Sequence, residues 1–189
     1  MSQTSSDNDR TALLVVDVQN RAVELGPYRG DEVLENIRAL VDACRGAGVD
    51  VIYVQHDEPI GTEGEPGSVG WEIHASVRPQ PGERIFRKEH NSAFRGTDLQ
   101  HHLEERAVAT LIVVGIQTEY CVDTTVRVAF EKGFEVIIPE CTNTTYDNGE
   151  VSAAQIYELH NRRIFDGRFA ALLPMTDVLE RLGNGASWS

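Results

Sequence analysis

Cys121, Asp17 and Lys88 are the residues of this sequence whose types combine into chemistry. A free thiol near pKa ~8.5 is mostly protonated at neutral pH. A nearby ammonium and a helix N-terminus both favour the thiolate. A carboxylate within reach takes the thiol proton as general base and hands it to a leaving amine. Lys88 would also keep Asp17 ionised and oriented. The backbone N–H groups of residues 115–121, unpaired where a helix begins, can face an oxyanion. This is the equipment of a cysteine nucleophile. Taken singly, each residue has a plainer reading: a turn aspartate, a solvated lysine, a small packing cysteine. The three share no contiguous motif, so the case rests on a common position in the fold.

That position follows from the pattern of the chain. The runs LLVVD (13–17), VDVIYVQ (49–55), TLIVVG (110–115) and FEVIIPE (134–140) are short, β-branched and continuously apolar. They are too short for helices and too apolar for a sheet with one wet face, so they predict buried parallel strands. RIFRK (84–88) and FAALL (169–173) supply a fifth and a sixth. Helical patterns fall between them over 31–48, 98–107, 118–133 and 150–164. Such alternation predicts a three-layer α/β/α sandwich around a central, mostly parallel six-stranded sheet. Ligands bind such sheets outside the carboxyl ends of the strands. Asp17 ends the first run, Lys88 ends RIFRK, and Cys121 lies just past LIVVG in the first turn of the next helix. Adjacent parallel strands would bring all three to one rim.

Composition narrows the partners. The 189 residues carry 17 Lys plus Arg against 30 Asp plus Glu, a formal net charge of −13. That charge disfavours nucleic acid and anionic membrane, leaving a small molecule as the expected partner. The three cysteines, Cys44, Cys121 and Cys141, form no CxxC pattern or disulfide framework. Free thiols, a polar N-terminus and the lack of a long apolar run give a cytoplasmic expectation. Residues 1–10 and 183–189 read as flexible ends of one domain spanning 11–182. The Gly- and Pro-rich stretch 56–83 is long for a loop in a compact domain, and so is the place to look for specificity, with a neighbouring subunit able to complete it. Two other classes fit poorly. A receiver domain needs a second acid beside the first, but Val18 follows Asp17. A dinucleotide fold needs a glycine-rich turn, which DVQNRAVELG lacks.

Four segments carry a family resemblance: LLVVDVQN (13–20), GSVGWEIH (67–74), FRKEHNSAFRGTDL (86–99) and VVGIQTEYCVDTTVRVAFEKGFEV (113–136). With them the chain resembles the isochorismatase-like cysteine hydrolases, which include nicotinamidases and N-carbamoylsarcosine amidases. The resemblance implies an Asp17–Lys88–Cys121 triad and a thioester-like acyl-enzyme on Cys121, resolved by water. It implies C–N hydrolysis of a small amide or carbamoyl compound. It implies a cis peptide between Ile116 and Gln117, an oxyanion site from the N–H groups of Gln117 and Cys121, and a homodimer or homotetramer. By likeness to family pockets, Trp71 and Phe94 are candidates to stack on a planar substrate, with core packing the equal alternative; Gln19 is a candidate to contact either substrate or only the loop backbone. It does not carry over a metal or other cofactor. The Asp-x-His metal pair of nicotinamidases is replaced by VQHDEP (54–59), so His56, Glu58 and His74 are expected in structural or surface roles, with an improvised metal site from the three as the alternative. Isochorismatase proper lacks the nucleophilic cysteine, which makes vinyl-ether hydrolysis the secondary reading. A catalytically silent binding module is the remaining alternative. Cys44 and Cys141 are expected to pack rather than react.

Overall fold

The computed structural model describes residues 10–185 and 188. Among them seven strands form one sheet: β1 (Arg10–Val16), β2 (Asp50–His56), β3 (Arg84–Lys88), β4 (Val108–Ile116), β5 (Glu135–Pro139), β6 (Asn143–Thr144) and β7 (Ala171–Leu173). The order across the sheet is β3-β2-β1-β4-β5-β7, and β6 pairs with the far end of β4. All these pairings are parallel. The six expected runs are the six strands of the main path. The two-residue β6 is an addition, too short to leave a periodic signal.

Six α-helices accompany them among the described residues, five between strands and one after the last: α1 (Asn20–Glu24), α2 (Gly30–Ala47), α3 (Leu99–Glu105), α4 (Asp123–Glu131), α5 (Ala153–Leu159) and α6 (Met175–Asn184). Alternate residues of β1 face opposite layers, as the period of two in a strand requires. Leu13 and Val15 pack with Ile37, Leu40 and Val41 of α2 and with Val178 and Leu182 of α6. Ala12, Leu14 and Val16 pack with Leu99 and Leu103 of α3 and with Val126 and Ala129 of α4. The central strands β1, β2 and β4 are therefore covered on both faces, which explains their unbroken apolar sequence, whereas the edge strand β3 is partly exposed and mixed in sequence.

Local chemistry sets the ends of these elements. In α2, Asp31 and Glu32 occupy the first turn, where the helix dipole favours negative charge. Gly48 ends it in a left-handed conformation, and Val49 N–H reaches back to the Cys44 carbonyl at 2.9 Å. The expected helices over 118–133 and 150–164 are not uniform. Each combines an α-helix with a π-helical turn, Thr118–Val122 before α4 and His160–Phe165 after α5. Wider turns of this kind often mark functional sites, and apolar spacing does not distinguish them from α-helix.

The expected flexible ends lie mostly outside the described residues. Arg10 already belongs to β1, and α6 runs on through Gly183 and Asn184. No described helix is long and apolar enough to cross a membrane.

Candidate active site

Four neighbouring strands each deliver one polar side chain to the carboxyl rim of the sheet. Asp17 follows β1, His56 ends β2, Lys88 ends β3, and Cys121 follows β4. Asp17 takes a left-handed backbone (φ 52°), unusual for a residue other than glycine. Its N–H is anchored on the Val54 carbonyl at 2.9 Å. Lys88 stands opposite His56 in the β2–β3 register, and its carbonyl accepts from Asp57 N–H at 2.8 Å. Cys121 sits in the π-helical turn. That turn is tied down by buried Thr118, whose hydroxyl donates to Asn143 Oδ1 at 2.7 Å, while Asn143 exchanges hydrogen bonds with buried Asn161. The peptide bond between Ile116 and Gln117 is cis.

Gly115, just before this turn, has no room for a side chain. A β-carbon there would lie 1.9 Å from the Val16 carbonyl oxygen, and its φ of 136° belongs to glycine. This close approach of β4 to the end of β1 brings Asp17 and Cys121 together.

Lys88 is the hub. Its side chain is fully buried and its Nζ lies 2.5 Å from Asp17 Oδ2, 3.2 Å from Cys121 Sγ and 3.1 Å from His56 Nδ1. An ammonium has three protons and no acceptor, so each proton has one partner. Among the described residues, Asp17 Oδ1 is buried with no hydrogen-bond partner. Asp17, His56 and Cys121 place potential metal-ligating atoms within 4.8 Å of one another, but the Lys88 ammonium already contacts all three. A cation of the protein's own thus fills that space.

Burial governs the titration of the cluster. It pushes the Asp17 carboxyl above the usual carboxylate range, against the pull of Lys88. Burial, with the Asp17 charge beside it, pushes the Cys121 thiol up to about 12, again outweighing Lys88. The ammonium expected to favour the thiolate is present, but desolvation and the neighbouring carboxylate outweigh it. His56 is pushed down, first by burial and then by Lys88, so its imidazole is held neutral.

A cavity of about 350 Å³ opens over Cys121. Asp17, His56, Gln117 and Cys121 line it at the rim, with Arg21, Glu58, Asn91, Tyr120 and Tyr146 around the mouth. Gln19 also lines it, but its amide is committed elsewhere: Nε2 donates to the His56 and Trp71 carbonyls, and Oε1 accepts from His56 N–H. It staples the long loop to β2.

Two expected pocket residues do not reach the cavity wall. Trp71 donates its indole N–H to Asp57 at 2.8 Å and lies under Arg87. Phe94 is buried in the core against Phe134, with ring centroids 6.0 Å apart. Polar partners hold the Trp71 ring and the core holds Phe94, neither of which sequence alone separates from ligand stacking. Glu58 and His74 do not gather with His56. Glu58 pairs with Arg21, and His74 caps the turn Ala75–Val77 by accepting from Ser76 N–H. Cys44 is buried, its thiol pushed up to about 12 by burial alone. Cys141 packs beside Tyr157.

His56 was open to the same rule that found the other three, since it ends an apolar run. Arg21 and Tyr146 were not, because they come from a five-residue helix and an irregular segment.

Known proteins are similar in sequence and fold. The model of the isochorismatase domain matches residues 11–162. Streptothricin hydrolase of Streptomyces noursei is 40% identical over 139 residues, covering 72% of this chain and 55% of that protein. The chain thus spans about half the length of the first curated relatives it matches. Nicotinamidase 3 of Arabidopsis thaliana is 32% identical over 92% of this chain and 89% of its own. The crystal structure of a hydrolase of the isochorismatase family from Chromobacterium violaceum superposes with a TM-score of 0.86 at 30% identity, covering 97% of each chain. The sheet order, the rim that gathers Asp17, Lys88 and Cys121, and a match running from β1 into the turn after α5 have one common explanation: the chain belongs to the isochorismatase family.

Proposed function

We propose that this protein is a cysteine hydrolase that cleaves the C–N bond of a small amide or carbamoyl compound through an acyl-enzyme on Cys121. The observation that carries this reading is the Lys88 ammonium, which contacts both Asp17 and Cys121 beneath an open cavity. The names of relatives, a streptothricin hydrolase and a nicotinamidase, point to the same class of bond.

The chemistry follows from charge balance. With Asp17 ionised and Cys121 protonated, the trio with Lys88 is neutral overall. Moving the thiol proton to Asp17 leaves it neutral, so a low-dielectric site does not oppose the transfer. Asp17 Oδ1, lacking a partner, is free to take that proton. Sγ attacks the carbonyl carbon as the proton leaves, and the carbonyl electron pair moves to oxygen. The N–H groups of Gln117 and Cys121 receive that oxyanion. Collapse breaks the C–N bond, and Asp17 returns the proton to the departing nitrogen. Water then gives a proton to Asp17 and attacks the thioester. The C–S bond breaks, the acid leaves, and the sulfur regains its proton.

The test is ammonia release over a panel of small amides, including nicotinamide, carbamoyl amines and ureido compounds. Wild type and Cys121→Ala are assayed side by side. The expected result is turnover by wild type on at least one compound and loss of essentially all of it in the variant. Equal rates would remove the covalent route.

A further inference from the structure

The contact between Lys88 and His56 fixes more than the lysine. Lys88 Nζ can only donate, so the His56 nitrogen 3.1 Å away must accept. That nitrogen is Nδ1, and in a neutral imidazole the proton then resides on Nε2. His56 lines the cavity. Among the described residues Nε2 has no hydrogen-bond partner, and it is not among the buried atoms left without one. It is therefore reachable from the cavity.

We propose that His56 is a substrate-binding group, locked by Lys88 as the Nε2–H tautomer and presenting one hydrogen-bond donor to the cavity. Resting on the hydrolase reading, this narrows the substrate to small amides that carry a second acceptor, such as a ring nitrogen, ether or carbonyl, beside the scissile group. The neutral state agrees with the surroundings. Burial and Lys88 from β3 oppose protonation, while Asp17 after β1 and the flanking Asp57 and Glu58 favour it, and the first two are stronger. The lock also couples the two jobs of the site. The lysine that contacts the nucleophile is the same group that decides which proton the histidine offers.

The closing experiment needs no turnover. Nitrogen–proton correlation spectra of protein labelled in its histidines report tautomer and charge for each ring, and His56 is assigned by the signal that His56→Asn removes. The expected result at pH 7 is a neutral His56 with its proton on Nε2. In Lys88→Met the lock should open, and His56 should titrate closer to the ordinary histidine value of ~6.5. A wild-type His56 that is doubly protonated, or protonated on Nδ1, overturns the inference. A kinetic arm uses whichever amide the ammonia screen identifies. His56→Phe should lower kcat/KM about tenfold, mainly through KM, as expected for one lost hydrogen bond. His56→Gln, whose amide N–H can reach the Nε2 position, should recover most of it. Unchanged kcat/KM in His56→Phe overturns the substrate contact. An amide screen without turnover defeats the hydrolase reading and leaves the tautomer measurable. A wrong tautomer defeats the inference and leaves the hydrolase reading intact.

Discussion

At Cys121 the thiol is held near 12 by burial and by Asp17, although an ammonium lies 3.2 Å away. Alkylation of the free protein thus reports a protonated sulfur. With iodoacetamide and peptide mapping, the Cys121 rate should climb about tenfold per pH unit from pH ~7 to ~9, without the levelling off expected of a thiol near ~8.5. A plateau in that range would show a resting thiolate instead. Lys88 makes a second expectation possible. Its charge pulls the Asp17 pKa down against burial, so Lys88→Met should move that pKa further above its unfolded value. A carboxyl with a raised folded pKa is stabilised by taking up a proton. Its contribution is therefore largest at low pH and is lost as pH rises through the folded value. Lys88→Met should be destabilised by about 3 kcal/mol at pH 8 and clearly less at pH 5. Asp17→Asn combined with Lys88→Met leaves no buried charge and should recover much of the loss. Urea unfolding of the set at both pH values measures this, and a pH-independent loss in Lys88→Met would contradict it.

Among the elements, the junction between β1 and β4 is the most demanding. Gly115→Ala puts a β-carbon against the Val16 carbonyl at a φ that L-residues avoid. The expected cost is about 3 kcal/mol or more, read as loss of soluble protein or of the urea midpoint. Gly46 is the internal control. It lies in the last turns of α2, has ordinary φ, and nothing stands within 4 Å of its would-be β-carbon. Gly46→Ala should stabilise by about 0.5 kcal/mol in the same assay. Glycines also mark what sequence can tell. Gly48 ends α2 by a local rule, a left-handed glycine after the last turn, and such rules are written in the sequence. The need for Gly115 depends on how closely a strand remote in sequence approaches, and no spacing records that distance.

Across the whole molecule, the legible part was the part that follows one rule. Continuously apolar runs gave the central strands, and the polar residues ending LLVVD and the shorter, mixed RIFRK gave Asp17 and Lys88. The two-residue β6 and the short α1 escaped because they bury too few side chains to show a period. Trp71 and Phe94 do not line the cavity, because one is tied to Asp57 and Arg87 and the other sits in the core, settings that composition does not separate from a ring against a ligand. The thiol's high pKa was hidden because desolvation is a property of everything around a residue. One architectural fact has a practical outcome. Lys88 arrives on β3, an edge strand, which is five residues long and, among the described residues, paired with β2 alone. Sheet borders fray at lower cost than centres. In rising urea, ammonia release should therefore fade at a lower concentration than the far-ultraviolet ellipticity, and coincident curves would show the border strand to be as firmly held as the middle. Such a molecule disarms before it melts: a half-opened copy would still look folded to a spectrometer while its sulfur had already lost its cation.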